Sequence, residues 1–238
     1  MGDLSFTVGD LLDRNAERYP EKQAVVCEKF RFTYGELKAK VDLVGRGLLD
    51  AGVKKGDHVA LLMDNRQEWL LVCLAVAKLG AVLVPINIRY RLHELAYLLS
   101  HARPSVLILI DRFHQADFIE MLFELDPQLR NSPKGALNSE KFKSLRHIFC
   151  LSEREYPGMQ RWKEILDRAE AVPPADLAAA QKMVTPQDII YILYTSGTTA
   201  RPKGAMLTHS NICKHGENIA ARMHATPQDR FWIPIPLF

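Results

Sequence analysis

Two hydrophobic periods alternate along this chain. Short apolar runs that suit buried strands are separated by segments whose apolar residues recur every three or four positions, as a helix face requires. The first helix opens at Thr7-x-x-Asp10, a variant of the capping box, carries Leu11, Leu12 and Ala16, and stops before Pro20. Residues 24–27 and 31–33 read as a hairpin. Thr33-Tyr34-Gly35-Glu36 is a capping box for a helix that reaches Leu49, with Gly52 as its stop. The pattern then predicts a strand over 58–63, a helix over 66–79 capped by Asn65, and a strand over 81–85. A helix over 93–100, a strand over 106–110 and a helix over 115–125 follow. Strands alternating with helices imply a mostly parallel sheet covered on both faces, so the fold class is α/β.

Residues 126–144 are polar, contain Pro127, Pro133 and Gly135, and read as a surface excursion. A strand over 145–151 and a short amphipathic helix over 162–169 come next. Pro173-Pro174 opens a linker that runs to 188. The chain therefore divides into a first α/β subdomain, 1–172, the linker 173–188, and the start of a second subdomain, 189–238. That last part reads as a strand over 189–195, a loop, a strand over 204–208, a helix over 211–224 and an apolar run over 231–238. Such a run would leave a strand edge and an apolar face without partners. The chain is expected to be part of something larger, truncated within a second sheet.

Composition narrows the function classes. Apolar residues make up 47% and charged residues 25% of 238 residues, the balance of a soluble globular protein. Thirty-one basic against 28 acidic side chains give a net charge of +3, with no basic run of the kind that grips nucleic acid. Cys27, Cys73, Cys150 and Cys213 are widely spaced and form no metal-ligand pattern, which favours a reducing compartment. The stretch 69–88 has the length of a membrane span, but Lys78, Gly80, Pro85 and Asn87 interrupt it. It reads as a buried helix ending at Gly80 and a buried strand, so no transmembrane segment is expected. The first residues show no basic region followed by an apolar core, and no signal peptide is expected.

Candidate chemistry concentrates between Tyr194 and Gly204. Eleven positions hold Thr195, Ser196, Thr198 and Thr199, two glycines, Arg201 and Lys203. Small residues let backbone N–H groups approach oxygens, hydroxyls add donors, and a cation balances charge, a make-up suited to polyphosphate. A polar surface turn shares the Ser/Thr/Gly bias, but has no need of this density of donors beside a lysine. The loop is not a Walker A motif, because the segment after Lys203-Gly204 is short and apolar and reads as a strand, not a helix. His209 follows Thr208, a helix cap, and reads as a structural or solvated histidine before an acid–base group.

Tyr194 to Gly204, continuing through Met206-Leu207-Thr208-His209, resembles the signature loop of the AMP-forming adenylating enzymes: acyl-CoA synthetases, firefly luciferases and adenylation domains of peptide synthetases. That family's pattern is close to Thr-Ser-Gly-Thr-Thr-Gly-x-Pro-Lys-Gly, and Ala200 stands here in place of the usual glycine. Phe32-Thr33-Tyr34-Gly35-Glu36-Leu37, Gly56-Asp57-His58-Val59-Ala60, Lys78-Leu79-Gly80-Ala81, Pro85-Ile86-Asn87 and Pro236-Leu237-Phe238 are similar to other family segments, so the resemblance reaches nearly the whole chain. It implies the N-terminal part of the large domain of such an enzyme, most like a fatty acyl-CoA ligase. The implied activity is ATP-dependent activation of a carboxylic acid as acyl-adenylate, then thioester formation with coenzyme A. Thr195, Ser196, Gly197, Thr198 and Thr199 would cradle the ATP phosphates and Lys203 would neutralise them. Phe238 would line the carboxylate pocket, or serve as a core aromatic. ATP, Mg2+ and coenzyme A are the implied cofactors, and the implied location is cytoplasmic or peripheral at a membrane surface. The family's adenine and Mg2+ segment, ribose-binding aspartate and catalytic lysine would lie in a C-terminal portion beyond Phe238, so residues 1–238 alone are expected to be inactive. An amino-acid or aryl-acid adenylation domain, or a non-catalytic nucleotide-binding relative, remains the alternative.

Overall fold

The computed structural model describes residues 6–195 and 202–237. In chain order the elements are α1 (Val8–Arg18), β1 (Gln23–Val26), β2 (Arg31–Thr33), α2 (Tyr34–Asp50), β3 (His58–Leu62), α3 (Gln67–Leu79) and β4 (Val82–Pro85). Then come α4 (Leu92–Ala102), β5 (Val106–Ile110), β6 (Arg112–Phe113), β7 (Ala116–Asp117), α5 (Phe118–Leu125), β8 (His147–Leu151) and β9 (Gln160–Arg161). The chain continues through α6 (Trp162–Arg168), α7 (Pro174–Lys182), β10 (Ile189–Thr195), β11 (Lys203–Thr208) and α8 (His209–Arg222). Seven strands form one sheet in the order β11-β10-β4-β3-β5-β8-β9, parallel throughout except for β11, which runs antiparallel to β10. The expected α/β class holds. From β3 the chain crosses through α3 to β4 on one side, and from β4 through α4 to β5 on the other. Right-handed crossovers then place α3 and α4 on opposite faces, and β5, buried along its whole length, shows why its sequence is a continuous apolar run.

Local chemistry sets the helix starts. Thr7 Oγ1 accepts from Asp10 N at 3.2 Å while Asp10 accepts from Thr7 N at 2.8 Å, and Thr33 and Glu36 repeat the exchange at the same two distances. Gly80 ends α3 in the left-handed region, φ 65°, which glycine adopts without a Cβ penalty. Four expectations are corrected. Asn65 does not cap α3. The N-cap is Arg66, and the Asn65 side chain instead donates to Ile235 O and accepts from Leu237 N, both at 2.9 Å. The helix expected from 115 begins at Phe118, because Asp117 caps it at Glu120 N and residues 112–117 form a small hairpin. The stretch 173–188 contains α7, opened by prolines at a helix start where a missing N–H costs nothing. Residues 231–237 are not a strand; they run over the surface with Trp232 86% exposed. The excursion after α5 is anchored by two buried apolar side chains, Leu129 and Phe142, beside the buried polar Asp126 and Ser132.

Helices α1, α2, α3 and α7 pack on one another around a polar centre. Lys78, on α3 and 1% exposed, places its ammonium 2.5 Å from Asp13 of α1 and 2.6 Å from Asp42 of α2. Gln181 of α7 donates to the same Asp13 at 2.9 Å and to Asp10 at 3.3 Å. A buried ammonium is tolerated because two carboxylates satisfy it.

His209 joins this assembly to the last sheet strands. Fully buried at the start of α8, its Nδ1 accepts the Val8 N–H at 3.2 Å, and its own backbone N–H donates to Asp188 O at 3.1 Å. Burial pushes its imidazolium pKa down to about 4, against weaker opposing pulls from Asp188 and Asp10. The ring is neutral, and a proton added at Nδ1 would face another donor. It is a structural histidine.

Two outcomes follow for stability. Lys78→Met removes the buried cation between Asp13 and Asp42, which keep only the half-exposed Lys38, and is expected to lower unfolding free energy by about 2 kcal/mol in urea titrations; a change under about 0.5 kcal/mol would mean that the cluster contributes little. For His209, the folded-state pKa lies below the unfolded value of about 6.5. Its burial is therefore harmless above that value and destabilises as pH falls from about 6.5 towards about 4. Stability should drop by about 2 kcal/mol more between about pH 7.5 and about pH 5 in the wild type than in His209→Gln. Equal slopes would contradict the assignment.

Candidate functional site

The loop residues singled out by the sequence hang from the β10–β11 hairpin, at one edge of the sheet. Thr195 is the last residue of β10 and Lys203 the first of β11, and the two are direct partners across the antiparallel pair. In the parallel register with β4, Tyr191 sits beside Leu83, so Tyr194 and Thr195 extend past the end of β4 at Pro85. Thr195 and Lys203 thus lie opposite one another, both exposed, beyond the carboxyl end of the parallel strands, where α/β sheets present their ligands. Among the described residues Lys203 makes no salt bridge with a carboxylate. Ser196, Gly197, Thr198 and Thr199, with Ala200 and Arg201, lie outside the described residues, and so does Phe238. The structure therefore brings together two of the expected site residues, Thr195 and Lys203.

Packing at the base of the hairpin is specific. Gly204 pairs with Tyr194, and a Cβ placed on it would come within 2.8 Å of Ile192 Cγ2 and 3.5 Å of Tyr194 Cζ. The glycine after Lys203 therefore makes room for Ile192, with the cross-strand Tyr194 ring in ordinary contact beside it. Tyr194 turns towards α4, where its hydroxyl meets His101 Nδ1 at 2.6 Å, and the two rings stand edge to face at 5.7 Å. One turn earlier on the same helix, Tyr97 donates from its hydroxyl to Pro202 O at 3.0 Å and stacks on His101 with centroids 5.3 Å apart. Burial, reinforced by Tyr97 nearby, pushes the Tyr194 hydroxyl up to about 12, so it stays protonated, and the His101 tautomer sets which of the two donates. Deeper in β10, Tyr191 meets the buried Cys73 thiol at 2.9 Å. Burial pushes that thiol up to about 11, which marks Cys73 as a packed hydrophobe and not a nucleophile.

Sequence reasoning missed Tyr97 and His101. Their partners are 105 and 93 residues away, and the one local signal is aromatic rings four apart on a helix. Chemically, a paired hydroxyl and ammonium at an open strand end suit a multiply charged anion. Among the described residues no three His, Cys, Asp or Glu side chains gather as a metal cage, and no helix is long and apolar enough to cross a membrane.

Comparison with known proteins gives the chain a family. The family model described as AMP-binding enzyme matches residues 12–238. Bacillus subtilis (strain 168) YngI, named provisionally as an acyl-CoA synthetase, is 38% identical over 237 residues, which are 99% of this chain and 43% of YngI. The human mitochondrial medium-chain acyl-CoA ligase ACSF2 is 33% identical over 241 residues, 98% of this chain and 39% of that protein. The structure of a Mycobacterium tuberculosis fatty acyl CoA synthetase superposes with a TM-score of 0.66 at 24% identity, over 94% of this chain and 38% of that one. The chain thus spans about two fifths of the length of these relatives. A family match that takes in the parallel sheet, the hairpin and the loop it carries leads to one conclusion: the chain belongs to the AMP-binding enzyme family.

Proposed function

We propose that this chain holds the triphosphate of ATP in an enzyme that activates a carboxylic acid as acyl-adenylate and passes it to coenzyme A, with a fatty-acid-like substrate. The observation that carries the reading is the pairing of Thr195 with Lys203 beyond the carboxyl end of the sheet. Here the Lys203 ammonium neutralises charge on the β- and γ-phosphates, and the Thr195 hydroxyl donates a hydrogen bond. Ser196, Gly197, Thr198 and Thr199 supply further donors from the loop.

In the first step a carboxylate oxygen bonds to the α-phosphorus while the bond to the bridging oxygen breaks and pyrophosphate leaves. In the second a thiol sulfur attacks the acyl carbonyl and AMP departs. Phosphoryl-centre chemistry of this kind depends on positioning and on charge stabilisation more than on covalent help from the protein. Lys203 and Thr195 contribute both by fixing the leaving pyrophosphate and offsetting its growing charge. Mg2+, when bound, would supply further charge neutralisation at the triphosphate, and no residue of 1–238 is assigned to hold it. No residue of this chain is assigned to the thiol or to the proton transfers. Phe238 is retained as a candidate wall of the carboxylate pocket. The activity belongs to a protein of its relatives' full length, and residues 1–238 alone are proposed to be inactive in pyrophosphate exchange.

The test is acid-dependent pyrophosphate exchange by the full-length enzyme. Lys203→Ala should lower kcat/KM for ATP by about 10- to 100-fold, the worth of a charge-assisted contact, while KM for the carboxylic acid stays within about twofold. Lys203→Arg should recover part of the loss. Unchanged ATP kinetics in Lys203→Ala would remove the role assigned to it.

A further inference from the structure

We propose that Tyr97 and His101 of α4 are positioning residues for the phosphate end of the site. Together they fix the ends of β10 and β11, so that Thr195 and Lys203 remain opposite one another. This rests on the reading of the hairpin as the ATP-binding element.

The hairpin needs such support. Beyond Pro85 the β10 strand has no β4 neighbour, and β11 is the edge of the sheet. The residues beside the loop therefore lack the ladder that holds the rest of β10. An antiparallel pair that is free on one side frays from its open end. The α4 side chains meet the hairpin at this point and at both strands. His101 Nδ1 hydrogen-bonds the hydroxyl of Tyr194, the residue before Thr195, and Tyr97 donates to the carbonyl of Pro202, the residue before Lys203. Because the two side chains are one helical turn apart and stack at 5.3 Å, the two grips are parts of one rigid surface. Tyr194 is itself in contact with Gly204, its partner on the neighbouring strand.

Each contact fixes a neighbour of a phosphate-binding residue and leaves that residue's own side chain free. A purely structural staple between α4 and the sheet would need no such placement. It could act anywhere along β10, and it would act through the core. This one acts where the core ends.

Two measurements test the proposal. The first needs no assumption about the reaction. Trypsin cleaves after Lys203, and the rate of cleavage at Lys203–Gly204 in the folded protein reports how often the start of β11 opens. Tyr97→Phe deletes one hydroxyl and should raise that rate about 5-fold, the factor that one hydrogen bond of ordinary strength is worth. His101→Leu should do the same, and His101→Asn, whose side-chain amide can hydrogen-bond the Tyr194 hydroxyl in place of Nδ1, should restore the slow rate. The second is pyrophosphate exchange by the full-length enzyme. There Tyr97→Phe and His101→Leu should raise KM for ATP about 5-fold, with KM for the carboxylic acid and the thermal midpoint nearly unchanged. Cleavage rates equal to wild type in both variants overturn the proposal. So does a lowered thermal midpoint with unchanged KM for ATP, which would make the contacts a staple only. If the wild-type enzyme shows no exchange at all, the ligase reading fails, and the cleavage rates still decide whether α4 fixes the hairpin.

Discussion

A single buried ammonium draws four helices together. Lys78 is buried, where an unpaired charge would not be tolerated, and Asp13 and Asp42 must come to it from α1 and α2. Gln181 then reaches Asp13 from α7, so the order of these helices over the sheet is fixed by hydrogen-bond satisfaction as well as by apolar burial. This constraint extends outward. The α1 helix begins at Val8, whose N–H is taken by His209, and His209 opens α8 directly after β11. Lys55 lies just before β3. It pairs with Asp188 at 2.6 Å and donates to Met183 O at 2.8 Å, which fixes the approach to β10. The root of the β10–β11 hairpin is thereby tied to the same helices that enclose Lys78.

The two ends of that hairpin are held by different physics. At the root, neutral His209 and the Lys55–Asp188 pair act within or beside the packed interior. At the tip, past the end of β4, aromatic side chains of α4 do the work at a half-exposed surface. Lys203 and Thr195 can therefore be exposed to solvent and still face one another, a compromise an anion site requires. Complete burial would penalise the ammonium, and an unsupported edge hairpin would not hold its geometry.

Much of this was readable from the sequence where the determinants are local. The Thr7 and Thr33 caps, the stop at Gly80 and the alternation of apolar runs with helix faces depend on residues within a few positions of one another, and they fall where the pattern puts them. So do the strand–loop–strand setting of the Tyr194–Gly204 segment and the placement of Thr195 and Lys203 at its two feet. The reading failed where the partner is distant. Asn65 has the character of a helix cap, yet its amide is taken by the chain near Ile235 and Leu237. The stretch after Pro173 reads as a linker from its paired prolines, but Leu177 packs beside Gly45 of α2 and Gln181 bonds to Asp10 and Asp13 of α1. Tyr97 and His101 are ordinary helix residues until the fold brings the hairpin to them. In the loop itself, Ser196, Gly197, Thr198 and Thr199 stay as the sequence presents them, and so does Phe238.

The central claim is that the exposed Thr195–Lys203 pair receives the terminal phosphates of ATP. The most direct measurement is a crystal structure of the full-length enzyme with a non-hydrolysable ATP analogue and Mg2+. The account predicts β- or γ-phosphate oxygens within about 3 Å of Lys203 Nζ and of Thr195 Oγ1. Phosphates bound elsewhere, with Lys203 still facing solvent, would contradict it.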